Sequence, residues 1–296
     1  MSTAARGGSR VPVTAPAIAR SKRRGDALVM VTAYDAPSAR AVDAAGADMI
    51  LVGDSLAMVV LGYEDTMQVT VDDMAHHVGA VARTRPSALV VGDLPWMSYH
   101  VDRAETVRNA ATLVRAGAGA VKLEGGRKRL DAIQAILDAE IPVMGHIGLT
   151  PQSVLALGGF KVQGKQLDAA QAIVDDAIAL AEAGCFAVVL ECVPDGVARM
   201  VTDSIPVPTI GIGAGRHCDG QVLVYHDLLG LCDDGRRAPK FVRRYADLEL
   251  EATKAVSTFV ADVREGRFPS SAETYHMTDG LNSALELYGG QTSLPV

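Results

Sequence analysis

Short apolar runs alternate along the chain with longer segments of mixed polarity, starting at residue 28. Continuous runs of this kind are typical of strands that are buried on both faces of a parallel sheet. They predict strands at 28–33, 48–53, 88–93, 119–123, 141–146, 187–191, 208–212 and 222–225. Helical patterns fall between most of these strands, near 36–45, 71–84, 102–116, 129–138, 168–183 and 195–203, and a last one lies near 246–265.

Eight strands alternating with helices favour a (β/α)8 TIM barrel, with an open doubly wound sheet as the alternative. The connection after the seventh strand is short and has no segment long enough for a helix. We expect the barrel domain at 27–268 and a C-terminal tail at 269–296, which could be an oligomer arm. The basic stretch 1–26 has no acid before Asp26 and is expected to be a disordered tail, with a transit peptide as the alternative.

One phrase occurs three times in the chain: Ala-Gly, then a short apolar strand, then a carboxylate. The copies read AGADMILVGD at 45–54, AGAGAVKLE at 116–124 and AGCFAVVLE at 183–191. They end on Asp54, Glu124 and Glu191, and a fourth strand, ALVVGD, ends on Asp93 without the Ala-Gly lead. Because parallel α/β folds place their chemistry at the carboxyl ends of the strands, we expect these acids to surround the active site.

Asp54, Asp93 and Glu124 could meet around one cation at the mouth of the barrel. Carboxylates without His or Cys partners suit a hard ion such as Mg²⁺. Alternatively, each acid could cap a helix or pair with a Lys or Arg side chain. Lys122 lies two residues before Glu124, so both side chains share one face of the strand. A lysine there could counter the acids, hold an anionic substrate, or do both.

Three further features are candidates for chemistry, each with a structural alternative. Glu191 could stand apart from the cation and act as a general base. Ser55 could donate a hydrogen bond to a bound carboxylate or cap a helix, and His146 could face the substrate or be structural. The turn GIGAG at 211–215 resembles a phosphate-binding turn, although close packing would also require its glycines. The long loops 54–70 and 147–165 could act as lids or be ordinary surface loops.

The composition of the chain argues against several classes of protein. The chain has 296 residues and a formal net charge of −7, which argues against a nucleic-acid partner. Its four cysteines form no C-x-x-C pair, so a reduced, cytoplasmic setting is expected rather than a disulfide framework. No apolar run is long enough to span a bilayer, and no membrane partner is expected.

Many longer motifs resemble the ketopantoate hydroxymethyltransferase family, also called 3-methyl-2-oxobutanoate hydroxymethyltransferase. The resemblance covers about residues 28–268, in order and at similar spacing. The motifs are TAYD at 32–35, LVGDS at 51–55, DLPWMSY at 93–99, VKLEGG at 121–126, GHIGLTPQSV at 145–154, GGFKVQGK at 158–165, LECVP at 190–194 and GIGAGRHCDGQVLVYHDLLG at 211–230.

The resemblance implies an enzyme that transfers a hydroxymethyl group from 5,10-methylenetetrahydrofolate to 3-methyl-2-oxobutanoate. The product is 2-dehydropantoate, in the first committed step of pantothenate biosynthesis, and the implied route is a Mg²⁺-stabilised enolate with one Mg²⁺ per subunit. It also implies a homodecamer of two pentameric rings with exchanged C-terminal segments. The residue roles carried over are metal binding by Asp54, Asp93 and Glu124, oxoacid binding by Asp54, Ser55, Asp93 and Lys122, and base catalysis by Glu191.

The chain departs from the family pattern in three places. The usual VQGR reads VQGK and ends on Lys165, the usual EEHSF ending is replaced by SSAETYHM at 270–277, and residues 278–296 have no match. The last two changes put the exchange of C-terminal segments in doubt. Two rival functions remain: a Mg²⁺-dependent barrel enzyme acting on phosphoenolpyruvate-like or isocitrate-like acids, and an inactive paralogue kept as a binding or assembly subunit.

Overall fold

The computed structural model describes residues 10–231 and 238–277 together with Gly280. In this part of the chain, eight parallel strands pair in sequence order and close into a barrel. The TIM barrel expected from the sequence is therefore confirmed. The strands are β1 (Leu28–Thr32), β2 (Met49–Val52), β3 (Leu89–Asp93), β4 (Ala120–Glu124), β5 (Val143–Gly148), β6 (Ala187–Glu191), β7 (Thr209–Ile212) and β8 (Gly220–Leu223).

Helices follow most of the strands, as the polarity pattern predicted. They are α1 (Ala15–Arg24), α2 (Ala36–Ala44), α3 (Leu56–Val59), α4 (Val71–Ala82), α5 (Arg103–Ala116), α6 (Leu130–Asp138), α7 (Val154–Leu157), α8 (Leu167–Ala183), α9 (Asp195–Ser204), α10 (Tyr225–Leu229) and α11 (Leu248–Arg264). Short 3-10 turns occupy Arg127–Arg129, Pro151–Ser153 and Ser271–Glu273. The link between β7 and β8 contains no helix, and β8 begins two residues before the predicted strand.

Residues at the helix ends fix where many of the helices between the strands begin and end. Asp35 and Asp102 cap α2 and α5 by accepting hydrogen bonds from main-chain N–H groups of the first turn. Gly117 and Gly184 end α5 and α8 with positive φ angles of 117° and 106°, a conformation that favours glycine. The Ala-Gly of the repeated phrase is thus a helix stop, and each stop is followed at once by a buried strand.

Apolar side chains form two clusters. Those between the strands and the helices include Val52, Leu113 and Leu180. Those inside the barrel include Met30, Met49 and Met144, together with Ala15 and Ile18 of α1. Because strand residues alternate between the two faces, each inward-facing row can continue into a polar side chain at its carboxyl end.

Residues 10–26 differ from the disordered tail that we expected at 1–26. Residues 15–24 form α1, which Thr14 caps at its start and Gly25 ends in the left-handed conformation. Ala15, Ile18 and Ser21 are buried, a spacing of three residues that places them on one face of a helix. The basic composition hid this apolar face, which contacts the cluster inside the barrel. The stretch before residue 10 lies outside the described residues.

The chain divides into two compact units, Met1–Ala246 and Asp247–Val296. The barrel lies in the first. The second contains α11, whose Phe259 ring contacts Phe268 with 5.2 Å between ring centres. Residues 278–296, which match no motif of the family, lie outside the described residues except for Gly280. In the described parts of both units, no helix is long and apolar enough to cross a membrane.

Candidate active site

The inward-facing rows of four neighbouring strands end in charged or polar side chains. Asp93 follows Leu89 and Val91 on β3, and Lys122 and Glu124 follow Ala120 on β4. His146 continues the row of Met144 on β5, and Glu191 the row of Val189 on β6. Strand pairing brings these ends together, with three register pairs: Asp93 with Lys122, Glu124 with His146, and Gly148 with Glu191. The acids therefore converge at the carboxyl end of the barrel, as the repeated phrase predicted.

These side chains line a cavity of about 480 Å³ together with Asp54 and Ser55, which follow β2. Asp54, Asp93, Lys122 and Glu124 form the floor of this cavity. The floor is buried: Asp93 is 1% exposed and Asp54 is 4% exposed. The Glu191 side chain is 17% exposed, whereas that of Glu124 is 2% exposed. Glu191 is thus the carboxylate of this group that a ligand in the cavity can reach most easily.

Lys122 forms a buried ion pair with Asp93, with 2.8 Å between Nζ and Oδ2. Burial alone would lower the pKa of Lys122, but the negative charges of Asp93, Glu124 and Asp54 raise it above its ordinary value. Lys122 therefore stays charged, and it offsets part of the negative charge that the acids bring to the floor. Both sequence interpretations of this lysine, counter-ion and anion binder, fit this position.

His146 lies between two carboxylates. Its Nδ1 is 3.4 Å from Glu124 Oε1, and its Nε2 is 3.2 Å from Glu191 Oε2. Burial and the positive charge of Lys122 lower the pKa of His146, but its contacts with Glu124 and Glu191 outweigh them and raise it to about 9. His146 thus lies between Glu124 and Glu191 and lines the cavity.

Ser55 does not cap a helix, because α3 has no side-chain hydrogen bond at its start. Its hydroxyl lies 2.9 Å from the hydroxyl of Tyr34, at the edge of the cavity. The cap interpretation is therefore not supported. Asp54, the preceding residue, has a pKa well above its ordinary value because it is buried and faces Asp93 and Glu124. Burial also raises the pKa of Asp93, although Lys122 opposes the shift.

Gln152 is a further residue of the site that was not expected from the sequence, and it hydrogen-bonds both Asp54 and Glu124. Its side-chain Nε2 donates to Asp54 Oδ2 at 2.8 Å and to the Leu94 carbonyl at 3.0 Å. Its main-chain N–H donates to Glu124 Oε2 at 3.0 Å. The hydroxyl of Tyr99 donates to Gln152 Oε1 at 2.5 Å and accepts from the Glu124 N–H at 3.2 Å. Gln152 therefore connects two of the expected metal ligands. It lies within the motif GHIGLTPQSV, but no role was expected for it.

The floor has one feature that suits a cation. Among the described residues, no three Asp, Glu, His or Cys side chains come close enough to hold a metal ion by themselves. The Asp93 Oδ1 atom, however, is buried without a hydrogen-bond partner. An unpaired buried carboxylate oxygen is costly, and a hard cation would satisfy it. Mg²⁺ commonly binds one or two carboxylates and completes its shell with substrate and water oxygens, so the donors present fit it.

The GIGAG turn, the two long loops, Lys165 and the cysteines differ in their relation to the cavity. In the turn 211–215, a Cβ atom on Gly213 would lie 2.8 Å from the Phe241 ring, and one on Gly215 would lie 2.6 Å from Asp195. Close packing thus explains these glycines. The two long loops contribute Met58, Thr66, Pro151 and Phe160 to the cavity wall. Lys165 is exposed and does not line the cavity. The cysteines in the described residues, Cys185, Cys192 and Cys218, are all free.

The sequence of this barrel and its acidic floor is similar to that of known enzymes. The model of the ketopantoate hydroxymethyltransferase family matches residues 12–271. The chain belongs to the ketopantoate hydroxymethyltransferase family. A relative named 3-methyl-2-oxobutanoate hydroxymethyltransferase from Moorella thermoacetica is 55% identical, over 90% of this chain and 98% of the relative. A second, 3-methyl-2-oxobutanoate hydroxymethyltransferase 2 from Bradyrhizobium diazoefficiens, is 52% identical over 92% of each chain.

Solved structures of other barrel enzymes resemble this ketopantoate hydroxymethyltransferase family chain in fold. A phosphonopyruvate hydrolase has a TM-score of 0.56 at 15% identity, covering 94% of this chain and 95% of its own. A 2,3-dimethylmalate lyase of the PEP mutase/isocitrate lyase superfamily has a TM-score of 0.53 at 17% identity, covering 94% and 99%. These identities are low, so the likeness supports the barrel and not a shared reaction.

Proposed function

We propose that this chain transfers a hydroxymethyl group from 5,10-methylenetetrahydrofolate to 3-methyl-2-oxobutanoate and forms 2-dehydropantoate, a step of pantothenate biosynthesis. Family membership and the names of relatives above 50% identity support the reaction. The structural observation that supports it best is the buried floor, where one charged lysine lies among carboxylates and a more accessible carboxylate stands beside them. That arrangement can bind an anionic oxoacid and remove a proton from it.

The oxoacid would bind at Asp54, Ser55, Asp93 and Lys122. Lys122 supplies the positive charge for the substrate carboxylate, because the negative charges of the surrounding acids keep it protonated although it is buried. Ser55 supplies a hydroxyl at the cavity edge, held against Tyr34. The low exposure of the floor strengthens these interactions, since little water competes for the same groups.

Asp54, Asp93 and Glu124 would hold Mg²⁺. When bound there, Mg²⁺ supplies Lewis-acid polarisation of the keto group and stabilises negative charge that develops on the substrate. Gln152 fixes one oxygen of Asp54 and one of Glu124. Asp93 Oδ1 is buried without a hydrogen-bond partner among the described residues, and coordination to the ion would satisfy it.

Glu191 would remove the C3 proton of the oxoacid. It lies at the end of β6 and is more exposed to the cavity than Glu124, and its Oε2 lies 3.2 Å from His146 Nε2. The deprotonated carbon attacks the methylene carbon of the folate, so a carbon–carbon bond forms and one of the two carbon–nitrogen bonds of that methylene breaks. Water then attacks the same carbon, which forms the product hydroxyl and breaks the second carbon–nitrogen bond. The proton taken by Glu191 and one proton of the water pass to the two nitrogens of the departing tetrahydrofolate.

The proposal extends to assembly and location. We place the enzyme in the cytoplasm as a homo-oligomer, a decamer by resemblance to its family. Free cysteines support a reducing setting. Within the second unit, Val256, Phe259 and Val263 of α11 are all exposed and share one helix face, which supports burial against another subunit. Mass measurement in solution, with and without residues 270–296, tests the assembly.

The reaction is tested with purified protein, 3-methyl-2-oxobutanoate and methylenetetrahydrofolate, with Mg²⁺ present or removed. We expect 2-dehydropantoate only when both substrates and Mg²⁺ are present. Turnover of an oxoacid without folate would instead support a carbon–carbon or carbon–phosphorus cleaving barrel enzyme. Oxoacid binding without any turnover would support an inactive paralogue.

A further inference from the structure

The cavity has two chemically different parts. Its floor carries the acids, Lys122 and His146, whereas its outer wall is mainly apolar. Most of the residues that line it are apolar, among them Met58, Phe160, Phe241 and Val242, and two are charged, Asp227 and Arg244. The cavity volume of about 480 Å³ falls in the range that holds a drug-sized ligand. A small branched oxoacid that binds at the floor leaves the apolar outer part for a second, larger molecule.

Phe241 is anchored as part of this wall. It packs against the apolar cluster inside the barrel. Gly213 makes room for its ring: φ at Gly213 is +64°, and a Cβ atom there would lie 2.8 Å from Phe241 Cδ1. Any side chain at residue 213 would therefore displace the ring. The GIGAG turn thus positions an aromatic surface at the cavity rather than a phosphate.

Phe160 provides a second aromatic side chain on a different element. It lies in the long loop between β5 and α8, and it is 52% exposed although it lines the same cavity. A large apolar side chain left half exposed at a cavity mouth is costly in water and gains free energy when a ligand covers it. The loop therefore offers an apolar contact that a bound molecule would complete.

We infer that Phe160 and Phe241 form the binding subsite for the pterin ring of the folate one-carbon carrier. This inference rests on the proposed function and adds residues to it. Carbon–carbon bond formation requires the carrier's methylene group above the oxoacid, so its ring system must occupy the outer cavity. A flat heteroaromatic ring stacks well on aromatic side chains. The pterin also excludes water from the floor while the substrate carbon is deprotonated.

The test separates the carrier from the oxoacid. Phe241→Leu and Phe160→Leu each keep an apolar side chain but remove the ring. We expect each to weaken tetrahydrofolate binding, measured by calorimetry, and to raise KM for methylenetetrahydrofolate by at least about tenfold, equal to about 1.4 kcal/mol. The exchange of the oxoacid C3 proton with solvent needs no folate, so its rate and its oxoacid dependence should stay unchanged.

Two matched substitutions control for surface effects. Tyr245→Leu removes an exposed aromatic ring close to Phe241 in sequence, and Leu155→Ala shortens an exposed side chain on the same loop as Phe160. Neither residue lines the cavity, so neither variant should change folate binding. If Phe241→Leu also loses proton exchange, it has disturbed the floor, and Phe160→Leu alone decides the question.

The outcomes distinguish this inference from the proposed function. Unchanged folate affinity in Phe160→Leu, with proton exchange intact, would overturn the subsite and leave the reaction standing. Absence of both proton exchange and hydroxymethyl transfer in the unmodified protein would overturn the reaction itself. Retained exchange with a specific loss of folate affinity in both Phe variants would support the subsite.

Discussion

Gln152 donates a hydrogen bond from Nε2 to Asp54 Oδ2 at 2.8 Å, across the mouth of the barrel. The donor direction is fixed, because the other side of the amide accepts from the Tyr99 hydroxyl. Asp54 has a pKa well above its ordinary value, chiefly through burial, and this hydrogen bond opposes the shift. Gln152 therefore orients Asp54 and favours its charged form, which is the form that can bind a cation.

Gln152→Met, which keeps the size but removes the amide, should weaken Mg²⁺ binding by about tenfold to a hundredfold, as is usual for residues that orient metal ligands. The measurement is the Mg²⁺ dissociation constant by calorimetry, with kcat and oxoacid KM determined separately. Gln163→Met, on the same loop and bonded only to the Lys161 carbonyl through its side chain, is the control. Equal Mg²⁺ affinity in Gln152→Met and the native chain would exclude this positioning role.

Glu191→Gln should still bind the oxoacid and Mg²⁺ but should exchange the substrate C3 proton about a hundredfold to ten-thousandfold more slowly, the usual range for loss of a general base. The shape and the contact with His146 are largely kept, so binding is expected to survive. Proton exchange is followed by NMR in deuterated water. The exposed Glu182→Gln on α8 serves as the control. Normal exchange in Glu191→Gln would assign the base elsewhere.

The sequence predicted much of the fold and of the acidic floor because both depend on short-range patterns. Buried strands appear as continuous apolar runs, and a period of two places Lys122 and Glu124 on one face. Gln152 could not be predicted, since its role depends on a loop that brings it beside Asp54, 98 residues away along the chain. Helix α1 was also missed, because its many arginines obscured an apolar face that only the barrel interior reveals.

Lys122→Met should lose oxoacid binding and lower the free energy of unfolding by about 3–5 kcal/mol, because it leaves a buried carboxylate without its partner. Both side chains of the Lys122–Asp93 pair are almost fully buried, so solvent screens little of this effect. Urea unfolding without added Mg²⁺ measures it, with the exposed Lys161→Met as control. Adding Asp93→Asn should restore part of the stability. Equal stability of Lys122→Met and native protein would contradict a buried charge pair.

His100 should make the protein less stable in mild acid. Burial and the positive charge of Arg129 lower its pKa from 6.5 to about 4, although Glu124 opposes this. The unfolded chain therefore binds the proton more readily than the folded one. The stability contribution is complete above pH 6.5 and is lost as pH falls towards 4. Replacing His100 with Gln should reduce the change of the thermal unfolding midpoint with pH between 6.5 and 4. His217→Gln, at an exposed position, should leave that pH dependence unchanged.

Ile18→Ala should destabilise the protein by about 2–5 kcal/mol, the usual cost of such a truncation in a packed core. Ile18 is 2% exposed and contacts the apolar cluster inside the barrel, so the cavity it leaves cannot fill with water. Val11→Ala, at a side chain that is 80% exposed, is the control and should change stability by less than about 0.5 kcal/mol. Urea midpoints at matched protein concentration compare the two. Equal midpoints would mean that residues 15–24 contribute no packing to the barrel, as the disordered tail expected from the sequence would require.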